Sequence, residues 1–197
     1  MLISGTTGTG KTSLVSKFAQ EACKRGEKCL YFANEEPRDQ IIRNMKSVGI
    51  NLKKFIEDGK LLIHAERPTT LGLEAHLTSM QDIVRDFKPD HVIVDPISAL
   101  TEAGFAIKDL FIRFTDFLKN RKITSILTYL TIGGTPLTTT EIRISSLIDT
   151  WIILDQLEKG GEYLKILRVL KSRGMRQSTQ PKEIKLTKKG IKIKRIR

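Results

Sequence analysis

The run Gly5-Thr6-Thr7-Gly8-Thr9-Gly10-Lys11-Thr12 constrains this chain more than any other stretch. It fits the pattern G-x-x-x-x-G-K-[ST] at every fixed position. Glycines reach dihedrals that a Cβ forbids, so the backbone can fold into a nest whose successive N–H groups converge on an anion. The positive end of the following helix strengthens that field. Thr7, Gly8, Thr9, Gly10, Lys11, Thr12 and Ser13 are the expected cradle, with Lys11 reaching the β- and γ-phosphates and the Thr12 hydroxyl holding Mg²⁺. Such a loop works only between a strand and a helix. Leu2-Ile3-Ser4 reads as the tail of a strand, while Leu14, Val15, Phe18, Ala19, Ala22 and Cys23 form a helical stripe that stops at Gly26. These residues point to a site for a nucleoside triphosphate.

The rest of the chain repeats that alternation. Lys28–Ala33 reads as a strand, followed by a helix with Pro37 at its first position and a stripe of Ile41, Ile42, Met45 and Val48. Leu52–Ile56 reads as a short helix and Leu61–Ala65 as a buried strand. Leu73, Leu77, Met80, Val84 and Phe87 mark a long helix, and His91–Asp95 an apolar strand with an acid at its carboxyl end. A helix over Lys108–Asn120 and a strand over Ile123–Leu130 follow, then a loop over Thr131–Ile144. Ile148–Leu154 and Tyr163–Leu170 read as closely spaced antiparallel strands. The fold class is therefore α/β: a mostly parallel sheet covered on both faces, in three layers, with an antiparallel C-terminal edge.

Open α/β sheets bind ligands at the carboxyl ends of their strands. The glycine loop, Glu35/Glu36 and Asp95 all collect there. Asp95 suits an acid that holds Mg²⁺, and Glu35 a base for the attacking water or hydroxyl, with Glu36 in support. Acids at a helix start also have a plainer explanation, stabilisation by the dipole. Lys171-Ser172-Arg173-Gly174 leaves the strand over Tyr163–Leu170. Its cations are either solvated charge or a source of positive charge for a γ-phosphate, delivered by a neighbouring subunit.

Charge narrows the partners. The chain carries a formal +12, and residues 182–197 hold eight Lys/Arg against one Glu, so +7 of it sits in that tail. Ile184, Leu186, Ile191, Ile193 and Ile196 interleave those cations and alternate around Lys188-Lys189-Gly190. That pattern favours a solvated basic edge hairpin over a nucleic-acid arm. At 197 residues, with 40% hydrophobic and 28% charged, the chain reads as one globular domain without a membrane span. With no signal peptide pattern and its two cysteines on apolar stretches, the expected location is the cytoplasm. His64, His76 and His91 lack ligand spacing, so no transition-metal site is expected.

Several separated motifs, in order, resemble the KaiC-like branch of the RecA-type P-loop ATPases. They are residues 2–12, Phe32-Ala33-Asn34-Glu35-Glu36, Ile42-Arg43-Asn44 and Phe87-Lys88-Pro89, then residues 93–100, 144–150 and Leu170-Lys171-Ser172-Arg173-Gly174. The likeness looks strongest to the second, autokinase repeat of that family's clock protein, and it implies a RecA-like fold. It implies ATP and Mg²⁺ bound between subunits of a ring, usually a hexamer, with paired glutamates as catalytic acids and Lys171/Arg173 acting in trans. It also implies that Ser145 and Ser146 stand where the clock protein has its phosphorylated Ser-Thr pair, with Thr140 near a third hydroxyl. The family's segment ahead of the glycine loop has no counterpart here, a single repeat is present, and Val48 stands where the clock repeat has a large aromatic.

The function expected from all of this is hydrolysis of ATP at a subunit interface, in a regulatory switch, with serine autophosphorylation as an added outcome. Two alternatives stay open. One is a recombinase-like DNA-dependent ATPase, which needs basic loops after the core strands; the loop over Thr131–Ile144 holds one cation, Arg143. The other is a nucleotide-gated interaction module with negligible turnover and protein partners.

Overall fold

Strand β1 (Leu2–Gly5) lies between β5 (Thr124–Leu130) and β6 (Thr150–Lys159), parallel to both. The computed structural model describes residues 1–67, 72–102, 107–131, 147–178 and 180–196. Among these, nine strands make one sheet in the order β3-β2-β4-β5-β1-β6-β7-β8-β9. The remaining strands are β2 (Cys29–Ala33), β3 (Leu61–Ala65), β4 (His91–Asp95), β7 (Glu162–Ser172), β8 (Lys182–Thr187) and β9 (Gly190–Arg195). The six strands from β3 to β6 run parallel, and β6 through β9 pair antiparallel.

Parallel strands with helices on both faces have no wet side, which explains the unbroken apolar runs. Every residue of β2 is buried, as is β4 after His91. One apolar cluster packs α4 (Leu73–Phe87) and α6 (Ile107–Asn120) on one face, through Leu77, Met80, Val84, Leu110, Phe111 and Phe114. The other packs α1 (Lys11–Lys24), α2 (Arg38–Ser47) and α3 (Lys53–Glu57) on the opposite face. The result is the RecA-like three-layer arrangement.

The differences from the sequence reading are local. Pro37 is the N-cap of α2 rather than its first residue: its ψ of 147° is extended, and its carbonyl accepts from Ile41 N at 3.1 Å. The strand at Ile148–Leu154 starts at Thr150 and runs on to Lys159; it is antiparallel to β7 but parallel to β1. A short α5 (Ser98–Glu102) carried no periodic signal. The basic tail forms the β8–β9 hairpin at the sheet edge. Ile184 anchors it in the α1-side core. Its turn lies against Gly49 (φ 73°), where a Cβ would come within 2.4 Å of Lys188 O.

Candidate functional site

Three strand ends and one loop converge on a single cleft. It is lined by Thr7, Gly8, Lys11 and Thr12 from the loop and α1, Glu35 and Glu36 after β2, and Asp95 and Pro96 after β4. Ile41 and Leu130 complete the wall. The loop takes its shape from close approach. A Cβ on Gly5 would lie 2.3 Å from Leu154 O, and Gly8 and Gly10 have φ of 78° and 100°. Gly10 is the N-cap of α1, so the helix's unpaired N–H groups open onto the loop. Of the remaining expected cradle residues, Thr9 and Ser13 are buried rather than lining the cleft; Thr9 Oγ1 donates to Thr6 O at 2.9 Å.

Lys11 Nζ donates to Gly5 O (2.9 Å) and Thr6 O (2.8 Å), which seats the ammonium at the base of the loop. Burial lowers its pKa below the usual lysine value, while Asp95 and Glu35 oppose that by favouring the cation. The two glutamates are not equivalent. Glu36 accepts a hydrogen bond from Asn44 Nδ2 at 3.1 Å and is tied to α2. Glu35 is the more exposed of the two and acts electrostatically on Lys11.

Asp95 is 7% exposed, and both its oxygens are engaged. Tyr31 Oη donates to Oδ2 at 2.5 Å, and Thr128 Oγ1 donates to Oδ1. Burial first, and the Asp95 carboxylate second, hold the Tyr31 phenol well above its ordinary pKa, so it stays a donor. The turn beyond Asp95, which includes a cis Asp95–Pro96 peptide, is bound by Asn34: its Nδ2 donates to Pro96 O at 2.9 Å and its N–H to Asp95 O at 3.0 Å. The oxygen-only set of the Thr12 hydroxyl and Asp95 carboxylate, facing one cleft, suits a hard divalent cation such as Mg²⁺.

Lys171 and Arg173 lie elsewhere. Lys171 is level with Trp151 and therefore with Leu2, at the amino end of β1, whereas the loop leaves from Gly5 opposite Leu154. Arg173 N–H donates to Asp149 O at 2.8 Å, and its guanidinium lies 3.7 Å from the Asp149 carboxylate. Three residues of strand separate these levels, roughly 10 Å, before the loop itself is counted. Ser145, Ser146 and Thr140 lie outside the described residues.

Sequence reasoning missed Tyr31, Thr128 and Lys165, whose Nζ donates to Gly8 O at 2.6 Å from β7. The available signal was a hydroxyl inside an otherwise apolar strand, at Tyr31 in Cys29–Ala33 and at Thr128 in Thr124–Leu130. Lys165 gave none, being one of many cations on the ribbon.

The family model for the KaiC ATPase matches residues 1–197. The chain belongs to the KaiC ATPase family. Membership implies that the chain binds ATP. Among curated KaiC relatives, the circadian clock protein KaiC2 of Synechocystis sp. is 45% identical, across 98% of this chain and 35% of its own length. Synechocystis sp. KaiC3 is 37% identical, across 98% of this chain and 39% of its own. The circadian clock oscillator protein KaiC of Thermostichus vulcanus is 38% identical, across 98% and 38%. This chain thus spans little more than a third of the KaiC relatives it matches. No helix among its described residues is long and apolar enough to cross a membrane.

Proposed function

We propose that this chain is one ATPase unit, residues 1–197, which hydrolyses MgATP at an interface between copies of itself and acts in the cytoplasm as a regulatory switch. One observation carries the reading: the loop, Glu35 and Asp95 share a cleft, and the two cations suited to the γ-phosphate sit at the far end of the same sheet. Within one copy they cannot meet. A ring, hexameric as the family resemblance implies, brings Lys171 and Arg173 of one copy to the cleft of the next.

The cavity size agrees. At about 190 Å³ the cleft holds a polyphosphate, whereas a site that buries a whole small ligand needs upwards of ~300 Å³. A second surface is needed to enclose the rest of the nucleotide.

Each residue then has a task. Loop amides and the Lys11 ammonium bind and orient the phosphates, and Glu35 accepts the proton of the attacking water while Glu36, held by Asn44, supports it. Thr12 and Asp95 would hold Mg²⁺, which supplies charge neutralisation on the phosphate oxygens. Lys171 and Arg173 from the neighbouring copy stabilise the charge that develops in the transition state. Ser145 and Ser146 are the proposed acceptors when a serine hydroxyl replaces water.

The test is incubation with Mg²⁺ and γ-labelled ATP, following free phosphate and label retained on the protein. Turnover in the parent and its loss in Lys11→Ala is the expected result; equal turnover in both refutes the ATPase reading. Retained label that disappears in Ser145→Ala or Ser146→Ala identifies an autokinase, and its absence limits the chemistry to hydrolysis.

A further inference from the structure

We propose that Tyr31 is a positioning residue for the metal-holding acid: together with Thr128 it fixes the orientation of the Asp95 carboxylate towards the cleft. The inference rests on the reading of Asp95 as a holder of Mg²⁺ and adds a residue that no part of the glycine-loop pattern contains.

The geometry is a clamp across three adjacent strands, β2, β4 and β5. Tyr31 on β2 donates to one carboxylate oxygen and Thr128 on β5 to the other. An ionised carboxylate has about four lone-pair positions, so two remain after both bonds are made. Since Asp95 lines the cleft, those two serve the metal or the waters around it. Turning the carboxylate about its Cβ–Cγ bond would break both hydrogen bonds. The Tyr31 side chain is 0% exposed and Thr128 likewise, so neither hydroxyl could exchange its partner for bulk water. The carboxylate is thereby held in one rotational state before any ligand arrives, and hydrogen bonds that orient a metal-holding acid govern how well it binds its metal.

Tyr31 also reaches a fourth element. Ser16 of α1 is fully buried, and its Oγ faces the same phenol without completing a hydrogen bond of its own. The phenol therefore sits between the helix that carries Thr12 and the strand that carries Asp95. A phenylalanine would fill this space, and the other residues of β2 are apolar: Cys29, Leu30, Phe32 and Ala33. What the tyrosine adds is one hydroxyl on one carboxylate.

The experiment measures binding of a fluorescent ATP analogue to the full chain while Mg²⁺ is titrated, in the parent, Tyr31→Phe, Thr128→Val and Asp95→Asn. Tyr31→Phe and Thr128→Val are expected to leave Mg²⁺-free binding and the melting temperature near the parent's, and to raise the half-saturating Mg²⁺ concentration about 10-fold or more. Asp95→Asn should raise it further. If both hydroxyl variants titrate like the parent and only Asp95→Asn shifts, Tyr31 is a satisfied core residue and the inference falls, while the reading of Asp95 stands. If Asp95→Asn also titrates like the parent, or the parent binds no analogue, the reading fails and takes the inference with it. Should Tyr31→Phe melt early, Thr128→Val decides, because it removes the other arm of the same clamp.

Discussion

The two halves of the sheet obey different rules. From β3 to β6 the strands are parallel, and at the centre of that half β2 is apolar and buried throughout and β4 between His91 and Asp95. From β7 to β9 they are antiparallel and half wet: β9 is exposed along most of its length, and Ile193 is 54% exposed. The parallel half positions chemistry at its carboxyl ends, where Lys11, Glu35 and Asp95 share a cleft. The antiparallel half reverses direction, and so carries Lys171 and Arg173 down to the amino end of β1. A direction change in one ribbon therefore separates two parts of a single proposed active site. Completing it takes a second copy.

Mixing two inactive variants shows on which copy the cations act. Arg173→Ala is expected to lower ATP turnover by about 10³. Mixed with Lys11→Ala in equal amounts, it should recover about a quarter of the parent rate, the share of interfaces that pair an intact loop with an intact arginine. A mixture as inactive as its components would place the arginine's action within one copy. Next in size is the contrast in burial. Leu30→Ala, at a fully buried position of β2, should cost about 2–5 kcal/mol in urea unfolding. Ile193→Ala, on the exposed edge, should change stability by no more than about 0.5 kcal/mol. Equal losses at the two positions would mean that the edge hairpin is as much core as the parallel strands.

A smaller effect sharpens the chemistry of the parallel half. Burial pushes the Cys23 thiol up to about 11 and that of Cys29 higher still. At pH 8 both should resist iodoacetamide until the protein unfolds, with labelling slowed about 100-fold against a free thiol. The folded state holds the Cys23 proton more tightly than the unfolded chain, so its contribution is complete below pH 9 and is lost as pH rises through about 11.

Much of this was legible in the residues. The parallel strands declared themselves because burial on both faces forces apolar runs, and the loop because only glycine tolerates its dihedrals and its approach to Leu154. Glu35, Glu36 and Asp95 were found by position, at strand ends. What escaped notice had no local signature. Tyr31 and Thr128 matter through Asp95, residues 64 and 33 positions away, and one hydroxyl in an apolar strand does not say where it points. Lys165 reads as surface charge until β7 folds over the loop. The short α5 is held by tertiary bonds at its start rather than by periodicity: Ile97 N–H, just ahead of it, donates to Thr128 O at 2.9 Å, and Ser98 Oγ accepts from Leu130 N–H at 3.2 Å.

The placement of β1 also has a kinetic side. The strand that launches the glycine loop comes almost first in the chain, yet its neighbours come late: Trp151 Nε1 bonds Ser4 Oγ across 147 residues. Closing so long a loop precedes any reward from pairing, so this unit should fold slowly for its size. During synthesis the loop leaves the ribosome before β5 and β6 and waits for them before it has a seat. The nucleotide therefore cannot template the fold of a growing chain; it can bind only once most of the chain is in place, and its binding then reports that assembly of the sheet is complete.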